Sequence, residues 1–223
     1  MSYNDALAVI GQLGRGVGYT LLVTITCFVT GMVSGLIFTA VRQLALPGLS
    51  GLVEVCAFVL RGIPILVLAF LVYFGLPGLG LRVGPLMAMN LSLGLVTGAY
   101  LAEVFRGALQ SVDPSELLAA EAMGMRRAQV LIHIEIPQML RFAFPGIVNE
   151  LTNVLKNSVF AYAVGIGEIM RQAVALTSTT DFGIAVYVVA GLLYYVIYRL
   201  ILLAMHALDK HWGMTGMSPT ALH

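Results

Sequence analysis

The chain has 223 residues, of which 59 % are hydrophobic and 10 % charged, and its formal net charge is +1. Soluble globular domains carry about 25 % charged residues. A mean hydropathy of +0.94 therefore excludes an ordinary soluble fold, and the near-neutral charge offers no basic surface for nucleic acid.

Long uncharged runs carry the main structural information. Gly18 to Val41, Gly62 to Leu81 and Val83 to Ala102 hold no charged residue, and about 20 apolar residues suffice to cross the hydrocarbon layer. Residues 1–14 lack a positive cluster, and the run that follows is too long for a cleaved signal core, so the first span is expected to be retained. Five spans are predicted. The first covers 18–41 and ends at Arg42, before a Leu46-Pro47-Gly48 turn. The second, 52–75, contains Arg61-Gly62-Ile63-Pro64 and is followed by a Leu76-Pro77-Gly78-Leu79-Gly80 loop. The third covers 84–108, the fourth 140–160 with Pro145, Glu150 and Lys156 inside it, and the fifth 182–206. Gly31 and Gly35 on the first span, and Gly94 and Gly98 on the third, are spaced for close helix contact in lipid. Cys27 and Cys56 both sit in apolar sequence and read as small buried hydrophobes.

An odd number of spans puts the termini on opposite sides. With the N-terminus outside, the inner segments hold Arg42, Arg106, Arg126, Arg127, Arg141 and Lys210, against Arg15, Arg82 and Arg171 outside. The positive-inside rule therefore favours N-out, C-in.

Between the third and fourth spans lies a short polar helix, 113–124. Asp113 suits the N-cap, Pro114 the first helical position, and Glu116 the third position of a capping box. Gly124 suits the left-handed residue that ends a helix. Glu116, Ala119, Ala120 and Met123 share one side by their spacing, and small residues there admit a partner's groove. Arg126 and Arg127 follow and are placed to meet an acidic partner or lipid head groups. A helix that merely rests on the membrane surface is the plainer alternative.

Several chemistries find no support. No GxxxxGK[ST] loop, HExxH helix, cysteine-based metal pattern or nucleophile turn is present. His133, His206, His211 and His223 are scattered and read as interface or tail residues. No metal is expected, and no cofactor on this chain.

The 113–137 segment resembles the EAA loop of permease subunits from bacterial ABC importers. Ala119-Ala120, Gly124, Ile134 and Pro137 fall in register with that pattern. Leu118 stands where the motif has glutamate, with Glu116 and Glu121 close by. Other segments are similar to the polar amino-acid branch of the family: Phe58 to Pro64, Leu71 to Pro77, Gly98 to Gly107, Leu155-Lys156-Asn157-Ser158 and Gly165-Ile166-Gly167-Glu168. The resemblance covers residues 15–208.

This resemblance implies an all-α membrane protein with a type I ABC importer permease core of five transmembrane helices. The expected organisation is a periplasmic segment (1–17), a permease domain (18–208) with its coupling helix at 113–124, and a cytoplasmic tail (209–223). The chain itself would not be an enzyme. It would sit in the bacterial inner membrane with a second permease subunit, identical or homologous. Two ABC ATPase subunits would bind ATP and magnesium, and a periplasmic binding protein would deliver a polar amino acid. Coupling is expected at Glu116, Leu118, Ala119, Ala120, Glu121, Met123, Gly124 and Arg126. An alternative is a secondary carrier or channel that works without an ATPase.

Charges inside the spans mark a second candidate region, because ionised groups in hydrocarbon cost about 2.5–3.5 kcal/mol on insertion scales. Glu150, bracketed by Asn149 and Asn153, is placed to hold an amino acid's ammonium group or to form an ion pair that fixes helix packing, and the resemblance implies Ile63 and Pro64 as pocket wall. Glu103 and Arg106, three apart, are expected to pair, with Arg61 bracing the same region. Lys156 and Asn157 are expected near the outer end of their helix, at a gate or docking surface. The Asn149-Glu150, Asn153 and Lys156-Asn157-Ser158 pattern looks more like permeases for acidic than for basic amino acids.

Overall fold

The computed structural model describes residues 3–44, 48–180 and 182–212, and these are helical throughout apart from short turns. Helix α1 runs from Tyr3 to Gln43. At 1.5 Å per residue it is about 60 Å long, twice the thickness of a hydrocarbon core. It begins at Tyr3 rather than the expected Gly18, so the proposed separate segment at 1–17 is, from Tyr3 onward, the first part of α1. The reason is tertiary: Val9 and Leu13 are buried in a cluster with Ile169, Ala173, Val186 and Ala190. The Leu46-Pro47 part of the expected turn, the first two residues, and residues 213–223 of the expected tail lie outside the described residues.

The second span is broken where the sequence suggested one helix. Helix α2 (Leu49–Gly62) and α3 (Ile65–Phe70) are separated by Ile63-Pro64, and α3 continues through wider and tighter turns to Leu79. The two parts meet at 106°. Ile63 is extended at φ −99°, ψ 132°, the conformation that a following proline ring enforces. Cys56 on α2 is exposed, unlike the buried Cys27, because α2 leaves Phe58, Val55 and Leu52 on an uncovered apolar face.

Helix α4 (Pro85–Met89) passes through a π turn into α5 (Leu95–Gln110) as one span. Then come α6 (Pro114–Ala122), α7 (Arg127–Val130) and α8 (Ile136–Asn157). A tight turn at Ser158–Val164 leads to α9 (Ile169–Thr177) and then α10 (Gly183–Trp212). The fourth span therefore exceeds the expected 140–160. It extends from Arg127 to Thr177, with a bend of 51° after Val164. Among the described residues three helices are long and apolar enough to cross a membrane, or up to five when each bent pair is taken as one span.

The frame is the seam between α1 and α5, and glycine makes it. Helices in lipid gain no hydrophobic drive from associating, so close backbone approach matters. The two glycine pairs face each other across this seam. A Cβ at Gly98 would lie 2.0 Å from Ser34 Oγ, and one at Gly31 would lie 2.5 Å from Thr97 Cγ2. One at Gly94 would lie 2.9 Å from Thr30 Cβ, and one at Gly35 would lie 2.9 Å from Leu101 Cβ. Thr30 Oγ1 donates across the same seam to Asn90 Oδ1 at 3.2 Å. Gly146 brings α8 onto α5 in the same way, 2.5 Å from Val104 Cγ1 if a Cβ were present.

Gly98→Val is expected to destabilise the protein by about 1–3 kcal/mol or more, the range for overpacking a filled contact. Thermal unfolding in detergent should show a clear fall in Tm. Gly14→Val is the control, since nothing lies within 4 Å of a Cβ there, and its Tm should be unchanged.

Candidate functional site

Helix α6 is built as its sequence suggests at both ends. Asp113 Oδ1 accepts the Ser115 backbone N–H at 2.8 Å, and this bond holds the Asp113 carboxyl below its ordinary pKa. At the other end Gly124 adopts φ +81°. Gly124 N–H donates to Glu121 O at 2.9 Å and Met125 N–H to Ala120 O at 3.1 Å, the paired bonds of a Schellman stop.

Its side chains are arranged differently from the expectation. Glu116 does not close a capping box on Asp113. Its carboxylate accepts from Gln138 Nε2 on α8. The reciprocal side-chain bond appears one element later, where Gln129 Oε1 accepts the Arg126 backbone N–H at 2.8 Å. Ala120 is buried, whereas Leu118 is 66 % and Met123 84 % exposed. Ala119, Glu121, Gly124 and Arg126 are exposed as well. The outward surface is therefore Leu118, Ala119, Glu121 and Met123, and Ala120 packs against the protein's own body. Arg127, expected to face a partner or lipid, makes a two-pronged pair with the buried Glu135, its Nη2 lying 3.1 Å from Oε2. The Glu116–Gln138 bond thus fastens α6 to the long span that contains α8, and the Arg127–Glu135 pair braces the first turns of that span.

That span carries the intramembrane polar groups. Glu150 is half-buried and Asn149 exposed. Asn153 Nδ2 donates to Glu150 Oε1 at 3.3 Å, and Asn157 Nδ2 donates to Asn153 O at 2.9 Å. Thr152 turns back on its own helix, donating to Asn149 O at 2.8 Å. Ile63 and Pro64 form the corner between α2 and α3, the first half-buried and the second exposed. Lys156 lies in the last turn of α8. Its Nζ lies 5.8 Å from the centroid of the Tyr198 ring, near the midpoint of α10. The lysine borders a groove of about 450 Å³ lined by Leu155, Val159, Tyr194, Tyr195 and Tyr198.

Glu103 pairs with Arg106 at 2.8 Å and lies 3.7 Å from Arg61, as expected, but its shortest ion pair, at 2.7 Å, is to Arg42. One carboxylate thus joins α1, α2 and α5. Sequence reasoning missed Arg42 because 61 positions separate it from Glu103. It also gave no role to Glu168, which is fully buried. The Glu168 carboxylate accepts the N–H groups of Met170 and Arg171 at 2.8 Å, and the Tyr194 hydroxyl. A lone carboxylate between the Gly165–Gly167 break and an apolar helical run was the available clue. Gly16 and Thr20 of α1 close this corner: a Cβ at Gly16 would lie 2.5 Å from Ile169 N, and Thr20 Oγ1 accepts the Ile169 N–H. Among the described residues no group of three or more His, Cys, Asp or Glu could hold a metal ion.

Comparison with known proteins gives this arrangement a context. Residues 31–213 match the family described as binding-protein-dependent transport system inner membrane component. The probable glutamine ABC transporter permease protein GlnM of Bacillus subtilis is 30 % identical over 195 residues, covering 87 % of this chain and 90 % of that protein. The histidine/lysine/arginine/ornithine transport system permease protein HisQ of Escherichia coli is 32 % identical over 198 residues, covering 83 % and 86 %. A chain from the crystal structure of an amino acid ABC transporter with histidines superposes with a TM-score of 0.87 at 25 % identity, covering 95 % of this chain and 99 % of its own. The chain belongs to the binding-protein-dependent transport system inner membrane component family, as a multi-pass permease subunit of an ABC transporter.

Proposed function

We propose that this permease subunit carries a polar amino acid inward across the bacterial inner membrane, driven through α6 by a separate ATPase. The observation that carries the reading is the tie from α6 to the next span, Glu116 to Gln138, with the Arg127–Glu135 pair bracing that span's first turns. A push on α6 is delivered directly to the span that bears Glu150, Asn153 and Lys156. Alternating access requires two packings of similar energy, and ATPase closure biases them. The family works with ATPase and binding-protein partners. The assembly proposed here has two permease subunits, two ATPase subunits and a periplasmic amino-acid-binding protein.

The proposed topology has five spans with the N-terminus outside, which puts α6 and the arginine-bearing ends of α1 and α5 together on the cytoplasmic side, in keeping with the positive-inside rule. Leu118, Ala119, Glu121 and Met123 form the surface offered to the ATPase. The relatives' names speak for amino acids as cargo, but glutamine in one and histidine, lysine, arginine or ornithine in another leave the side chain to be found by transport assay. Glu150, with Asn153 as its neighbour, supplies the anion for the substrate ammonium. Ile63 and Pro64 form the wall at the α2–α3 corner, and Lys156 with Asn157 forms the gate.

A cysteine placed by Met123→Cys should crosslink to the ATPase in the intact complex; labelling of that position from the outer side instead would overturn the orientation. Gln138→Ala should lower transport-coupled ATP hydrolysis about tenfold, the effect of losing one hydrogen bond to a charged group, with membrane insertion unchanged. Glu150→Gln should raise the KM for amino-acid uptake by about tenfold on the same grounds, while basal ATP hydrolysis persists. Gradient-driven uptake by the chain alone in vesicles would favour a secondary carrier and refute the proposed drive.

A further inference from the structure

The end of the α1–α5 seam carries more positive charge than packing requires. Arg42, Arg61 and Arg106 come from three helices, and their ion pairs among the described residues all end on the single carboxylate of Glu103. Two positive charges are left uncompensated there. Arg42 is mostly enclosed, its side chain 15 % exposed, and only its Nη1 is engaged, with Glu103. Its Nε and Nη2 are buried and meet no hydrogen-bond acceptor. Leaving such donors unpaired costs about 1–3 kcal/mol, and more when the group is charged. The same guanidinium borders a small pocket of about 170 Å³, whose other walls are Thr39, Gln43 and Arg106. The pocket's lining residues are therefore two arginines, a threonine and a glutamine, with no Asp or Glu among them.

We infer that this pocket is a binding site for a phosphate group, carried by an anionic lipid head group or free in solution. Guanidinium groups match tetrahedral oxyanions through paired N–H donors, and basic pockets between membrane helices are where phosphate head groups settle. The size suits one phosphate, and the site lies at the last turn of α1 and about one turn from the end of α5, a place within reach of a head group. A phosphate there would neutralise the excess charge that holds α1, α2 and α5 around Glu103. The inner leaflet as its source rests on the orientation proposed above; the phosphate site itself does not.

The test uses the purified full-length chain in detergent and native mass spectrometry, with phosphatidylglycerol as probe, phosphatidylcholine as zwitterionic control, and inorganic phosphate as competitor. Two variants are compared with the wild type: Arg106→Gln, and Gln43→Glu, which puts a carboxylate at the rim without touching the Glu103 pairs. Circular dichroism verifies folding, and if Arg106→Gln does not fold, Gln43→Glu decides alone. Preferential retention of phosphatidylglycerol that falls about tenfold in the variants, the effect of one lost charge-assisted hydrogen bond, supports a lipid head group. Phosphate-dependent thermal stabilisation without lipid preference, lost in the same variants, supports a free anion. Neither effect, or either effect undiminished in the variants, overturns the site. Labelling of Gln43→Cys by an impermeant maleimide reports the side separately, so a wrong orientation is distinguishable from a failed phosphate site.

Discussion

Close backbone contact between α1 and α5 is the constraint on which the rest of the structure depends. In hydrocarbon, two leucine-rich helices gain nothing by leaving lipid for each other, so dispersion contacts and polar bonds between closely spaced backbones must hold them. Four glycines remove the side chains that would keep the axes apart. Once the seam is closed, the helix ends are placed as well. Arg42 at one end of α1 meets Glu103 on α5, Thr30 meets Asn90 farther along, and Gly16 near the other end admits the backbone of Glu168 and Ile169.

The fourth span is mounted on this frame by close packing and polar bonds. Helix α8 lies against α5 through Gly146 and Val104, and its near end carries the tie to α6. The far end of the same span is interrupted, with a left-handed Gly165 and the buried Glu168 capping α9. A buried carboxylate with three hydrogen-bond donors is a strong local anchor, and it binds the bend to α10 through Tyr194. The span is thus tied to α6 near one end and to α10 near the other, and carries Glu150 and Lys156 between these ties.

The apolar surface left over has the same logic. Helix α10 exposes Ile184, Val188, Leu192, Tyr195, Leu200 and Leu203, and α2 exposes a comparable face. In water such surfaces would aggregate; beside lipid or a second permease subunit they are the ordinary exterior of a membrane helix.

By itself the sequence determined what depends on neighbours along the chain. Apolar run length announced a helical membrane protein; Asp113, Pro114 and Gly124 bounded α6, because caps and stops act within one turn; and the four-residue glycine spacing marked helix faces. Pro64 was visible, but the 106° corner it makes depends on which flanking residues find partners. Tertiary structure alone decided that the two glycine pairs face each other, that Glu116 reaches Gln138 rather than its own cap, that Ala120 turns inward, and that Arg42 shares Glu103. The added first turns of α1 and the placement of Lys156 against Tyr198 have the same origin. Both follow from packing against residues more than 150 or 40 positions away, and no local pattern carries information about a partner that only folding brings near.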